Sequence, residues 1–258
     1  MTDAAPKTRR VNRGRGHSYE IDGRKVDGVT TLIGDGIPKP ALVDWAARTT
    51  AEYAVDHWDE LAEQTGTARL RRLERARWDK TKAAAARGTT VHDLAMRLAA
   101  GEEVTVPEEI SGHVDAYLRF VEDWQPQELL VEAAVFHRTL WYAGTLDLVA
   151  QLADGNNWLL DWKTSASGIY SESALQLAAY RHAEFYLDAQ GNEQPLPPID
   201  FAGCVWLRAD GYDLKPVDAG DDTFLIFRYA QQVARRFARE PRDRFILDTL
   251  PAPAKDAA

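Results

Sequence analysis

The stretch from residue 141 to residue 164 constrains this chain most. The runs 141–152 and 158–164 are rich in Val, Leu, Thr and aromatics, and Ala153-Asp154-Gly155-Asn156-Asn157 stands between them. Such runs on either side of a Gly/Asn turn predict a β-hairpin. Side chains alternate faces along a strand, so Asp161 and Lys163 project from the same face. Asp147, on the paired strand, can reach that face too. Two carboxylates and one ammonium converging on a sheet make a hard-cation site with a base or charge stabiliser beside it. That combination suits metal-dependent hydrolysis of a phosphodiester.

The rest of the chain sets bounds on this reading. At 258 residues and 45% hydrophobic, it can bury one core of the larger kind. A basic arm is expected over residues 1–16, a single domain over 17–250 and a tail over 251–258. Within the domain, a helical part spans about 17–86 and a motif-bearing core about 87–217. The single cysteine, Cys204, excludes an internal disulfide and any four-cysteine zinc or iron–sulfur site within one chain. Its isolation suits a reducing, cytoplasmic setting. No apolar run approaches the ~18 residues of a membrane span. The polar, basic N-terminus lacks the apolar centre of a secretory signal. No glycine–lysine phosphate loop is present, so no ATP site is expected.

Net charge is −9, which by itself argues against a nucleic-acid partner, but distribution matters more than the total. Residues 1–16 carry Lys7, Arg9, Arg10, Arg13 and Arg15. Between residues 69 and 87 there are eight basic residues, Arg71, Arg75, Lys82 and Arg87 among them, against Glu74 and Asp79. A third cluster comprises Arg235, Arg236, Arg239, Arg242 and Arg244. Any one of these is ordinarily a solvated face. Three in a candidate nuclease favour at least one tracking phosphates.

Helical periodicity is expected over 38–57, with Leu42, Trp45, Ala46, Thr49 and Tyr53 on one face, and again over 61–86. Gly88 is expected to interrupt, with Thr89 or Thr90 capping a new helix to residue 100. Further helices are expected over 110–123, from Ser171 or Ser173 to 186, and over 223–239. Strands are expected over 129–140, in the 141–164 hairpin, and in hairpins at 19–26 and 201–217. This order predicts an α/β fold, a central mixed sheet flanked by helices, with an N-terminal helical region.

The motif region resembles the PD-(D/E)XK nuclease superfamily, in particular its RecB-type and phage exonuclease branch. Gly144-Thr145-Leu146-Asp147 and Asp161-Trp162-Lys163 match its Asp and Asp-X-Lys motifs. Arg87-Gly88-Thr89-Thr90-Val91-His92 looks like its helix-borne histidine, and Gln176-Leu177-Ala178-Ala179-Tyr180 looks like its Gln-X-X-X-Tyr motif. Asp-X-Lys alone is common by chance; four motifs in order over residues 87–180 are specific. The segments Val29–Ile33 and Pro38–Trp45 also look like the N-terminal part of phage-encoded members. The resemblance implies a restriction-endonuclease-like core and a DNA exonuclease of phage recombination or DNA processing. It implies Mg²⁺ or Mn²⁺ held by His92, Asp147, Asp161 and the Trp162 carbonyl, with Glu132 as an additional ligand. By the same resemblance Gln176 and Tyr180 line the site. Lys163 would either activate the attacking water or stabilise transition-state charge. DNA is the implied partner, contacted by Arg71, Arg75, Lys82 and Arg87. Analogy extends to a single-strand annealing protein and to homo-oligomers. The motifs do not separate an exonuclease from an endonuclease on the same site, or from a nuclease-fold DNA-binding module.

Overall fold

A computed structural model describes residues 8–13, 16–99, 102–241 and 244–248. The chain begins with strands β1 (Arg9–Arg13), β2 (Gly16–Ile21) and β3 (Arg24–Gly28). Helices α1 (Val29–Gly36), α2 (Pro40–Asp56), α3 (Trp58–Ala62), α4 (Gly66–Ala99) and α5 (Glu108–Trp124) follow. Then come β4 (Gln127–His137), β5 (Tyr142–Gln151), β6 (Asn157–Lys163), α6 (Glu172–Arg181), β7 (Phe185–Leu187) and β8 (Glu193–Gln194). The chain closes with β9 (Phe201–Arg208), β10 (Gly211–Pro216), α7 (Asp221–Val233) and a π-helical turn at Ala234–Ala238. No helix among the described residues is long and apolar enough to cross a membrane.

The fold is α/β with a curled mixed sheet. Strand β5 is its hub: β4 pairs antiparallel along one edge, and the other edge is divided. There β3 runs parallel at Tyr142 and Ala143, while β6 runs antiparallel from Leu148 to Gln151. Between them, residues 144–147 have no strand partner on that edge among the described residues. Strand β6 then pairs parallel with β9, which β10 follows antiparallel. Helices α1, α6 and α7 cover one face, where Leu32, Leu177 and Phe227 pack on Leu146, Leu159 and Cys204. The other face carries α4 and α5, where Val91, Val114 and Phe120 pack on Leu148, Leu160 and Val205.

The hairpin at 141–164 forms as its turn chemistry dictates. Gly155 takes φ +82, and the Asp154 carboxylate accepts the Asn156 amide at 3.0 Å. Several boundaries differ from expectation. Residues 9–13, expected within a basic arm, form β1 against β2. Gly88 does not interrupt its helix, and α4 runs on as 34 residues. A Cβ at Gly88 would stand 3.0 Å from the Thr164 hydroxyl, so close approach to β6 explains this glycine. The Thr90 hydroxyl caps nothing; it bonds back to the Ala86 carbonyl at 2.9 Å. Helix α6 ends at Arg181, and Phe185–Leu187 is a strand on β4, because Phe185 buries against Phe136. The apolar stripe of α2 buries Ala46 and Thr49 but leaves Leu42 54% exposed.

Candidate active site

The register brings three carboxylates into one row. Pairs Val131–Leu148 and Ala133–Leu146 place Glu132 opposite Asp147, and pair Leu148–Leu160 makes Asp161 the next position opposite Asp147. The row therefore crosses β4, β5 and β6. The β5–β6 ladder ends at Leu148–Leu160, and the strands part at the two aspartates. The Trp162 amide, released from that ladder, donates instead to Asp147 Oδ2 at 2.9 Å.

Alternation also reverses along this row. Val131 and Leu148 lie with the α5-side cluster, whereas Ala133 and Leu146 lie with the α6-side cluster. Positions two apart in a regular strand share a face, so both strands change face at Glu132 and Asp147. Glu132 makes this reversal with φ +47, left-handed for a residue that has a Cβ. Such backbone costs on the order of 1–3 kcal/mol and gathers at functional sites.

Asp161 is buried at 3% exposure and faces α6. Gln176 Nε2 donates to its Oδ1 at 2.8 Å, and Lys163 Nζ pairs with its Oδ2. One turn along α6, Tyr180 Oη lies 3.5 Å from the same Gln176 nitrogen. Tyr180 is pressed against Gly144, where an added Cβ would lie 2.2 Å from its ring. Across the open edge of β5, Tyr19 Oη and Thr145 Oγ1 are 2.9 Å apart. The structure thus brings Asp147, Asp161, Lys163, Gln176 and Tyr180 together. The Tyr19–Thr145 bond was not foreseeable, since Tyr19 lies in a distant hairpin with no local signal. Trp162 places its ring among Tyr117 and Phe120, on the opposite face, leaving only its backbone at the site.

Burial shapes the protonation of this cluster. Asp147 is pushed up to about 7, chiefly by burial and next by the charge of Asp161, against the pull of the Trp162 amide. Burial works against the Lys163 ammonium, but the Asp161 carboxylate outweighs it and holds its pKa above the ordinary value. Burial, with Asp161 behind it, pushes the Cys204 thiol up to about 12. Tyr180 is raised well above its ordinary value by burial, with Tyr19 and the two aspartates adding to it, and stays a neutral hydroxyl.

Among the described residues, no three His, Cys, Asp or Glu side chains stand together as a finished cation cage. The donor chemistry nevertheless fits a divalent cation. Two buried carboxylates held side by side repel one another unless a proton or a cation intervenes. Glu132 stands opposite Asp147 in the register, and its charge adds to that of Asp161 in raising Asp147. Helix α4 passes the site at Gly88 and carries His92 one turn later; the side chains of His92 and Arg87 lie outside the described residues. Lys82, Arg71 and Arg75 are exposed on the same helix, with no ion pair among the described residues. Other cations of the basic clusters serve the fold. Arg69 donates to the Leu61 and Ala62 carbonyls, and Arg235 and Arg239 clamp Asp27.

No family model matches this chain, and no curated protein does. Among solved structures, the chain is similar to one titled "Crystal structure of SSO0001", at 14% identity and a TM-score of 0.29. That match covers 58% of this chain and 68% of the other. A TM-score of this size carries no argument about the fold.

Proposed function

We propose that this protein is a divalent-metal-dependent deoxyribonuclease of the PD-(D/E)XK type, built on a restriction-endonuclease-like core and acting as an exonuclease. One observation carries the reading. Asp147 and Asp161 stand opposite each other where two strands part, Lys163 and Gln176 hold the Asp161 carboxylate, and Tyr180 stands against Gln176. A bound divalent ion would lower the pKa of a water and draw off negative charge from the phosphate. Asp147, Asp161, Glu132 and the Trp162 carbonyl would hold it, with His92 from α4. Lys163, kept protonated by Asp161, stabilises charge developing on the phosphoryl oxygens and is not the general base. Gln176 fixes the rotamer of Asp161, and Tyr180 braces Gln176 from behind. Protonation of Asp147 and binding of the ion compete, so the ion binds more weakly at acid pH.

End-labelled linear duplex and closed circular DNA, incubated with Mg²⁺, Mn²⁺ or EDTA, test this. Loss of the linear form only, dependent on metal and abolished by Lys163→Ala, is the expected result. Cleavage of the circle would assign an endonuclease instead. DNA binding without cleavage under every metal would refute the catalytic reading.

A further inference from the structure

A broad hollow lies outside the sheet. It lies between α1, α2, α4 and the turn after α7, and encloses about 1240 Å³. Its walls are apolar and open to solvent. Val43 is 69% exposed, Leu70 58%, Trp78 61% and Phe237 66%. Drug-sized molecules fill pockets of roughly 300–1,000 Å³, so this groove is scaled for a segment of a polymer.

Two structural links tie the groove to the carboxylate site. Helix α4 lines it at Trp78 and reaches the site at Gly88, about 15 Å further along at ~1.5 Å per residue. Lys39, in the opposite wall, pairs with Glu172 at 3.9 Å, and Glu172 lies one turn of α6 before Gln176. One wall of the groove is therefore joined by an ion pair to the helix that carries Gln176.

Charge decides between occupants. Arg77 lies over the Trp78 ring at 4.6 Å from its centroid, inside the groove. Arg71, Arg75, Trp78 and Lys82 follow one another at helical spacing, which makes a basic stripe along the outer rim. Within the lining, Asp35 is taken by Arg239 at 2.7 Å and Lys39 by Glu172, which leaves Arg77 beside Glu74, so the excess positive charge is that of Arg71, Arg75 and Lys82 on α4. An apolar floor with aromatic faces and a cationic rim matches a polyanion whose bases need stacking partners.

We propose that this groove holds a short run of single-stranded nucleic acid continuous with the strand at the carboxylate site. Bases stack on Trp78 and Phe237, and phosphates lie toward the α4 stripe. This rests on the nuclease reading above and names the path its substrate takes.

The test uses the full chain and a short oligothymidylate carrying 5-iodouracil, irradiated in EDTA so that no turnover occurs. Cross-linked peptides are mapped by mass spectrometry, and affinity is followed by fluorescence anisotropy. Cross-links to Trp78 or Phe237 are expected. Trp78→Ala and Phe237→Ala should each weaken binding about tenfold, as loss of a stacking partner does. Both side chains are exposed, so circular dichroism should be unchanged. Cross-links confined to other surfaces, with metal-dependent cleavage intact, would overturn the groove and leave the nuclease standing. Groove cross-links without cleavage under any metal would support the groove and sink the nuclease reading. Loss of self-association in Trp78→Ala, with DNA affinity unchanged, would make the groove a protein interface and overturn the proposal.

Discussion

Gly144→Ala probes the packing behind the site with a single methyl group. The new Cβ would stand 2.2 Å from Tyr180 Cε1, 2.9 Å from Cζ and 3.1 Å from Oη. Carbon atoms rest at about 3.5–4.0 Å, so more than 1 Å must be found. The tyrosine has little room to yield it. It is 3% exposed, and the Ala179 carbonyl beside it accepts the Tyr142 hydroxyl at 2.8 Å. Either the ring leaves its rotamer or α6 retreats from β5. Overpacking of this kind costs about 1–3 kcal/mol. For a chain of this size that is a fall in Tm of roughly 2–12 °C, at about 2–4 °C per kcal/mol. A retreat of α6 also carries Gln176 away from Asp161, which it reaches at 2.8 Å. Misplacement by about 1 Å near reacting groups can cost on the order of 100-fold in rate. Thermal denaturation and cleavage of linear DNA measure the two effects separately. Tyr180→Leu removes the obstructing ring, so the double variant should lose less stability than the sum of the single losses. Wild-type Tm and wild-type rate in Gly144→Ala would refute the close approach, and with it the account of why glycine precedes Asp147.

Other outcomes follow from the same geometry. Asp147 is raised from 3.8 to about 7, so its destabilising contribution is absent below the lower value, grows between the two and is level above about 7. Asp147→Asn removes it: in EDTA the variant should lose less Tm than wild type between pH 5 and pH 8, and equal slopes would contradict this. Calorimetry of Mn²⁺ binding near pH 6, in buffers of different ionisation enthalpy, should show proton release that vanishes in Asp147→Asn. Glu132→Gly relieves the φ of +47, so it should hold or raise Tm while weakening Mn²⁺ binding; a lower Tm would mean the backbone there is unstrained. Arg235→Ala breaks the 2.9 Å pair with Asp27 and should lower Tm without changing the salt dependence of DNA binding. Arg75→Ala should leave Tm alone and reduce the salt slope by about one.

Much of the candidate site was legible in the chain because its signals are local. Asp161 and Lys163 share a face through the period of a strand, and Gln176 and Tyr180 share one through the period of a helix. The Asp154–Asn157 turn sets the hairpin register that puts Asp147 opposite Asp161. The basic clusters were less legible. A run of arginines looks the same whether it faces phosphate or carbonyls, and Arg69, Arg235 and Arg239 proved to be fasteners of the fold. Gly88 misled for a related reason. A helix interrupted by glycine and a helix thinned by glycine to pass a strand have the same sequence.

By itself the sequence determined the elements that periodicity and turn chemistry write locally: the hairpin, the acidic and basic side chains it carries, and the α/β order around it. Only the tertiary structure decided where β6 leaves β5, that the pleat reverses at Glu132 and Asp147, and that Tyr180 fills the space a side chain at residue 144 would need. It also left α2 uncovered beside α4 and so opened the groove. The physical reason is range. Backbone propensity acts over a few residues, whereas a strand parting, a face reversal or a groove is fixed by packing between segments far apart in the chain, and no short window of sequence contains both partners.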